Sequence, residues 1–178
     1  GTLPAAAAAA LAGGAWLGID IGSTTTKFAL VDTQGRMLAK RYVPTRGRPI
    51  EVARDLVAGL CADLGGGVRL LGLATTGSGR QVVGDFLAAD LVIDEITAHA
   101  RGAIAADPEV DTIFEIGGQD AKYIRLEERH AVDFDMNKVC AAGTGSFLHE
   151  LAAKLGVDIA GEFETVALAS TAPVQLAE

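Results

Sequence analysis

Asp20-Ile21-Gly22-Ser23-Thr24-Thr25-Thr26-Lys27-Phe28 recurs in outline as Glu115-Ile116-Gly117-Gly118-Gln119-Asp120-Ala121-Lys122-Tyr123. The two stretches stand 95 residues apart, from Asp20 to Glu115 and again from Lys27 to Lys122. Each places an acid, an isoleucine and a glycine at the end of an apolar run, then a small polar turn, a lysine and an aromatic. A repeat at this spacing predicts two domains of similar α/β fold, each offering one hairpin loop to a shared ligand.

The chemistry of the loops points to a nucleotide triphosphate and its metal. Gly22, Gly117 and Gly118 let backbone N–H groups approach an anion closely. Ser23, Thr24 and Thr25 add hydroxyl donors, Lys27 and Lys122 add cations, and Asp120 lies in the second turn. Asp20 and Glu115 stand where carboxylates hold magnesium through its waters, since that ion prefers hard oxygen ligands and keeps much of its hydration. Taken alone, either loop also reads as an ordinary β-hairpin turning at glycine. A match over nine positions favours the clamp. Neither G-x-G-x-x-G nor a glycine-lysine-serine/threonine run occurs in the loops, so the dinucleotide and P-loop fingerprints do not apply.

The remaining composition fits a globular chain. At 178 residues and 49% hydrophobic it buries a full core and holds one or two domains. Its net charge of −8, with no basic run, argues against nucleic acid as a partner. Two cysteines are too few for a disulfide framework. Cys61 lies in an amphipathic helical pattern and is expected to be a buried small hydrophobe. Cys140 precedes Ala141-Ala142-Gly143-Thr144-Gly145 at an expected helix entry. There the positive end of the helix dipole favours a thiolate, hence metal ligation or redox chemistry; a buried structural cysteine is the other reading. One cysteine holds no metal cluster by itself.

Residues 1–15 are alanine-rich, lack a positive leader region and are too short to span a bilayer. They read as a linker or leader within a longer protein, and the stretch from Ser170 to Glu178 as stopping short of a complete element. No segment points to a membrane or to export, so a cytoplasmic protein is the expectation.

Between these ends the pattern predicts strands at Trp16–Ile21, Thr25–Val31 and Arg36–Val43. A helix follows at Pro49–Leu64, stopped by Gly65-Gly66-Gly67, then a strand at Val68–Ala74 and a turn at Thr75–Gly79. A helix at Arg80–Leu87, a short strand at Asp90–Ile93 and a helix at Ile96–Ala106 complete the first half. Strands at Thr112–Ile116, Lys122–Leu126 and His130–Phe134, then a helix at Gly143–Leu155, make the second. Three strands followed by a helix, twice, is an α/β plan with a mixed sheet in each half. The expected domains are 16–106 and 107–178.

The phrases LGIDIGSTTTKFALVD (17–32), DEITAHARGA (94–103), EIGGQDAKYI (115–124) and NKVCAAGTGSFL (137–148) resemble the activator ATPases of 2-hydroxyacyl-CoA dehydratases and benzoyl-CoA reductases. That family is the BadF/BadG/BcrA/BcrD type, within the actin-like, ribonuclease H-like superfamily. The resemblance implies an actin-like ATPase fold, duplicated, with the second copy truncated here. It implies a homodimer with one four-iron four-sulfur cluster between its subunits, each giving two cysteines, one of them Cys140. In the family the second lies in an Arg-Cys segment shortly after a Pro-Val run, and Pro173-Val174 looks like that run. It further implies that ATP binding and hydrolysis drive low-potential electron transfer to an acyl-CoA dehydratase or reductase, with ferredoxin or flavodoxin as donor. ATP and ADP would favour different closures of the two domains. Gln119 is the candidate for orienting the attacking water, with Asp20, Glu115 or Asp120 as metal-shell or base groups. Gly143, Thr144 and Gly145 join the nucleotide-binding set. The family often has aspartate where Glu115 stands. A redox-silent kinase or ATPase of the same superfamily, with Cys140 structural, is the alternative.

Three further features weigh less. Gly77-Ser78-Gly79-Arg80 reads as a turn, with a loop near the cleft as the other reading. Glu95, His99 and Arg101 start a helix, where they contact phosphate or simply cap and pair. His130 and His149 read as solvated surface residues, since neither has ligands at metal spacing.

Overall fold

The computed structural model describes residues 13–64, 69–140 and 143–173. Most of the alanine-rich leader, the Gly65-Gly66-Gly67 stop, Ala141-Ala142 and the Val174 end lie outside the described residues. The chain divides into two compact units. One comprises Gly1–Ile113 with Ile124–Phe134, and the other Phe114–Tyr123 with Asp135–Glu178.

The first unit holds β1 (Ala15–Ile21), β2 (Thr25–Asp32), β3 (Met37–Pro44), α1 (Pro49–Asp63), β4 (Leu70–Thr76), α2 (Arg80–Leu87), β5 (Leu91–Val92) and α3 (Glu95–Ala106). The strands form one sheet in the order β3-β2-β1-β4-β5. β1 runs antiparallel to β2 and parallel to β4, and β2 runs antiparallel to β3. The sheet is therefore mixed. Side chains alternate across a strand, so Leu17, Ile19 and Ile21 of β1 join Phe28 and Leu30 of β2 on one face, where Ala53, Leu56 and Leu60 of α1 and Val83 of α2 pack. Truncating Leu17 to alanine in such a core costs about 2–5 kcal/mol.

The β2–β3 turn shows the local chemistry well. Asp32 Oδ1 accepts from the N–H groups of Gln34 (2.9 Å) and Arg36 (2.8 Å), and Oδ2 from Arg36 Nε (2.7 Å). Burial alone would raise the pKa of this carboxyl, but the Arg36 and Gln34 donors hold it below its ordinary value. Gly35 supplies the positive φ of 78° that the turn needs.

Cys61 corrects an expectation: it is exposed. The core face of α1 runs through Ala53, Leu56 and Leu60, and the residue after Leu60 is rotated about 100° off that face.

Downstream come β6 (Thr112–Ile116), β7 (Ala121–Glu127) and β8 (His130–Met136), neighbours in that order in a three-stranded sheet. Ile124 and Leu126 of β7 pack with Ala100 and Ile104 of α3 in a second small core. α4 (Gly145–Leu155) and α5 (Phe163–Leu168) follow. α4 starts two residues later than the pattern predicts, and α5 has no counterpart in the sequence reading. No helix among the described residues is long and apolar enough to cross a membrane.

Candidate functional site

The first hairpin turns where β1 meets β2, with Asp20 paired opposite Lys27. Gly22 N–H donates to Thr25 O at 2.9 Å. A side chain at Gly22 would place its Cβ 2.8 Å from that same oxygen, so only glycine fits. Ser23 and Thr24 are exposed at the tip. Lys27 Nζ donates to Asp20 Oδ2 at 2.6 Å and lies 5.8 Å from the Tyr42 ring centroid. The tip is clamped from behind by the residue after β3. Thr45 N–H donates to Thr24 O (2.9 Å), and Thr45 Oγ1 to Gly22 O (2.7 Å). The Thr45 and buried Thr26 hydroxyls are 2.9 Å apart.

The Gly77-Ser78-Gly79 turn packs on this hairpin. Gly79 N–H donates to Ile21 O at 2.9 Å. Gly77 has a φ of +90°, and a Cβ there would fall 2.6 Å from Asp20 Oδ1. The sequence signal for this contact was the glycine spacing; its target, the end of β1, comes from the parallel β1–β4 pairing. Beside it, on the face away from α1, a cavity of about 680 Å³ is lined by Gly18, Asp20, Lys27, Ala29, Ala74 and Thr76 among others. Thr76 Oγ1 is a buried hydroxyl with no hydrogen-bond partner. Asp94, rather than Glu95, His99 or Arg101, caps α3. It accepts from Thr97 N–H (2.9 Å) and Thr97 Oγ1 (2.7 Å), and these bonds lower its pKa.

The hairpin of the second unit is built from β6 and β7. Gly117 N–H donates to Asp120 O at 2.8 Å, and Lys122 Nζ to Glu115 Oε2 at 3.1 Å. The Lys122 side chain is only 5% exposed, against 38% for Lys27. Gln119 is exposed at the tip. Its backbone is held by the stretch from Asn137 to Ser146. Ala121 N–H donates to Asn137 Oδ1 (2.9 Å). Gly145 N–H donates to Gly117 O (2.9 Å) and Ser146 N–H to Gly118 O (3.0 Å). Thr144 Oγ1, fully buried, donates to Gly118 O at 3.0 Å, and Ser146 Oγ donates to the same oxygen.

This arrangement corrects the expectation that Cys140 opens a helix and gathers its free amides. α4 begins at Gly145, and its first N–H groups go to the Gly117 and Gly118 carbonyls. Thr144 stands at the N-cap but makes no side-chain cap. Cys140 is exposed, and His130 and His149 are exposed as expected. Asn137 and Thr45, which brace the two loops from behind, were missed; the available signal was that each is the polar residue that follows the third strand of its set.

Asp20 and Glu115 offer hard carboxylate oxygens suited to magnesium through water, and the orphaned Thr76 hydroxyl lines the same cavity as Asp20. Cys140 suits one thiolate position of a cluster. Among the described residues no group of three or more His, Cys, Asp and Glu side chains is placed to hold a metal ion.

Residues 17–164 match the model of the BadF/BadG/BcrA/BcrD ATPase family. A 2-hydroxyisocaproyl-CoA dehydratase activator from Clostridioides difficile is 36% identical over 150 residues, covering 80% of this chain and 53% of the relative. The solved component A of Acidaminococcus fermentans (R)-2-hydroxyglutaryl-CoA dehydratase superposes with a TM-score of 0.80 at 31% identity, over 93% of this chain and 62% of that one. The activator of the Clostridium difficile 2-hydroxyisocaproyl-CoA dehydratase with bound ADPNP gives 0.78 at 32%, over 92% and 60%. The fold is thus the α/β fold of these activator ATPases. The chain spans about half the length of the curated relatives it matches. With the family model spanning most of its length, and both glycine hairpins inside the match, the chain belongs to the BadF/BadG/BcrA/BcrD ATPase family.

Proposed function

We propose that the whole protein is an ATP-dependent activator. In this reading it couples ATP binding and hydrolysis to low-potential electron transfer toward an acyl-CoA dehydratase or reductase. The observation that carries the reading is the paired construction of the hairpins. Each has the same glycine-to-carbonyl turn bond and the same carboxylate–lysine pair, in a chain of this ATPase family. Each hairpin binds part of the ATP–magnesium group. Backbone amides at Gly22, Gly117 and Gly118 and the exposed hydroxyls of Ser23 and Thr24 meet phosphate oxygens. Asp20 and Glu115 hold magnesium through its waters, and Gln119 orients the attacking water, because phosphoryl transfer needs positioning more than covalent chemistry. Cys140 supplies one ligand of a four-iron four-sulfur cluster in a homodimer. When bound, that cluster provides the electron, drawn from ferredoxin or flavodoxin.

ATP turnover of the whole protein tests the hydrolysis site. Asp20→Ala and Gln119→Ala are each expected to slow it by roughly 100-fold or more; wild-type rates in both would refute the assignment. Iron and sulfide analysis after anaerobic purification tests the redox half. Iron present in wild type and lost in Cys140→Ser supports the activator. No iron, with sugar- or acid-dependent ADP release, points instead to a redox-silent kinase.

A further inference from the structure

We infer that Asn137 is a positioning residue that carries displacement of the Gly117–Asp120 loop to Cys140. The inference rests on the proposed reading of that loop as nucleotide-binding. The Asn137 side chain uses both ends of its amide. Oδ1 accepts from Ala121 N–H at 2.9 Å, while Nδ2 donates to Gln119 O at 3.3 Å and to Val139 O at 2.6 Å. One carbonyl belongs to the loop tip and the other to the residue directly before Cys140. Because the amide is planar and all three bonds share it, Gln119 and Val139 cannot separate without breaking one of them. Asn137 N–H also donates to Ala121 O at 3.0 Å, so the anchor's own backbone is fixed to the strand.

The far end of the same stretch is tied to the same loop. Gly145 and Ser146 donate to Gly117 and Gly118 at 2.9 and 3.0 Å. Cys140 therefore lies between two attachments to one loop, and its thiol is exposed. The corresponding clamp in the first unit sharpens the point. There Thr45 holds the Gly22 loop through buried hydroxyls, and the residues after it, Arg46-Gly47-Arg48, carry no thiol. That clamp uses only a backbone N–H and a hydroxyl; Asn137 adds a side-chain donor aimed at the cysteine segment.

The test uses the whole protein freed of iron, with Cys140 alkylation by N-ethylmaleimide followed by peptide mass spectrometry. Cys61, exposed on α1, is the internal control. Wild type is expected to show Cys140 rates that differ by roughly fivefold or more between ADP and a non-hydrolysable ATP analogue. Asn137→Ala is expected to bring that ratio to about one, with Cys61 unchanged and both nucleotides still bound in equilibrium dialysis. Asn137→Asp, which keeps the acceptor for Ala121 N–H and so spares the fold, lacks the two donated protons and should behave the same way. A wild-type ratio in both variants overturns the inference, as does loss of nucleotide binding in both, which would make Asn137 part of the loop's own fold. A wild type that binds neither nucleotide defeats the functional reading and the inference with it. A wild type that binds both, with equal Cys140 rates, defeats the inference alone.

Discussion

In the hairpin of Asp20–Phe28 the glycine carbonyl is held by a buried threonine, and the carboxylate–lysine pair stands half in water. In that of Glu115–Tyr123 the glycine carbonyls are held by the helix-start amides and by the Thr144 and Ser146 hydroxyls, and the lysine is almost wholly buried. The turn bonds are alike, 2.9 Å from Gly22 to Thr25 and 2.8 Å from Gly117 to Asp120. What differs is the support behind the turn. The first loop is backed by Thr45, directly after β3, the second by a segment that carries Cys140 and leads into α4. One arrangement fixes a loop; the other links a loop to something else.

The largest contrast is expected at the turn glycines. Gly22→Ala drives a Cβ to 2.8 Å from a backbone oxygen that is already bonded to Gly22 N–H. It should cost about 3 kcal/mol in urea denaturation. At Gly117 the nearest atoms are Glu115 Oε1 at 3.1 Å and Asp120 O at 3.2 Å, and Gly117→Ala should cost about 1 kcal/mol. Equal costs would break the contrast.

Next come the ion pairs. Glu115→Gln removes the carboxylate facing a 5%-exposed lysine and is expected to cost about 2 kcal/mol. Asp20→Asn, in a pair with side-chain exposures of 31% and 38%, should cost under about 1 kcal/mol. Added salt should weaken the first-hairpin pair more, since exposed pairs are screened more.

The distal turns give a smaller effect of opposite sign. The β7–β8 turn places Glu128 and Arg129 at φ of 48° and 66°, unfavourable for side chains. Replacing them by Asn-Gly should stabilise by about 1 kcal/mol. The β2–β3 turn already has Gly35 at 78°, so Gly35→Ala should cost about 1 kcal/mol. A thermal melt of each variant checks both signs.

The last effect is a pH dependence, and it shows only on the acid side. Asp32 titrates below its ordinary 3.8 in the folded chain. Its contribution is fully present above 3.8, the unfolded value, and is lost as pH falls through the lower folded value. Asp32→Asn should therefore flatten the acid limb of the stability curve below pH 3.8, and an unchanged limb would remove this turn from the account.

Much of the fold was legible because period-2 alternation and helical spacing are local signals. Arg80–Leu87 and Thr112–Ile116 match the structure residue for residue. Cys61 was misread because helical amphipathicity tolerates an error of one position, and one position turns a side chain about 100°. The Gly77 turn was under-read because its partner, the end of β1, lies more than fifty residues earlier. Asn137, the first residue of the NKVCAAGTGSFL phrase, was given no role because an asparagine between a strand and a loop carries no distinctive pattern; its role comes from three bonds to residues up to 18 positions away.

The order of residues alone determined that two glycine turns, each flanked by an acid and a lysine, stand at the ends of apolar strands. Hairpin geometry follows from local backbone preferences, and these are written in neighbouring residues. Only tertiary structure decided that Lys27 meets Asp20 and Lys122 meets Glu115 as ion pairs, and that the amides of Gly145 and Ser146 go to the Gly117 and Gly118 carbonyls. Those outcomes depend on which donors a buried carbonyl or carboxylate finds once the chain has closed around it. A buried polar group must be satisfied by whatever lies nearest in space, and nearness in space is what a linear sequence does not state.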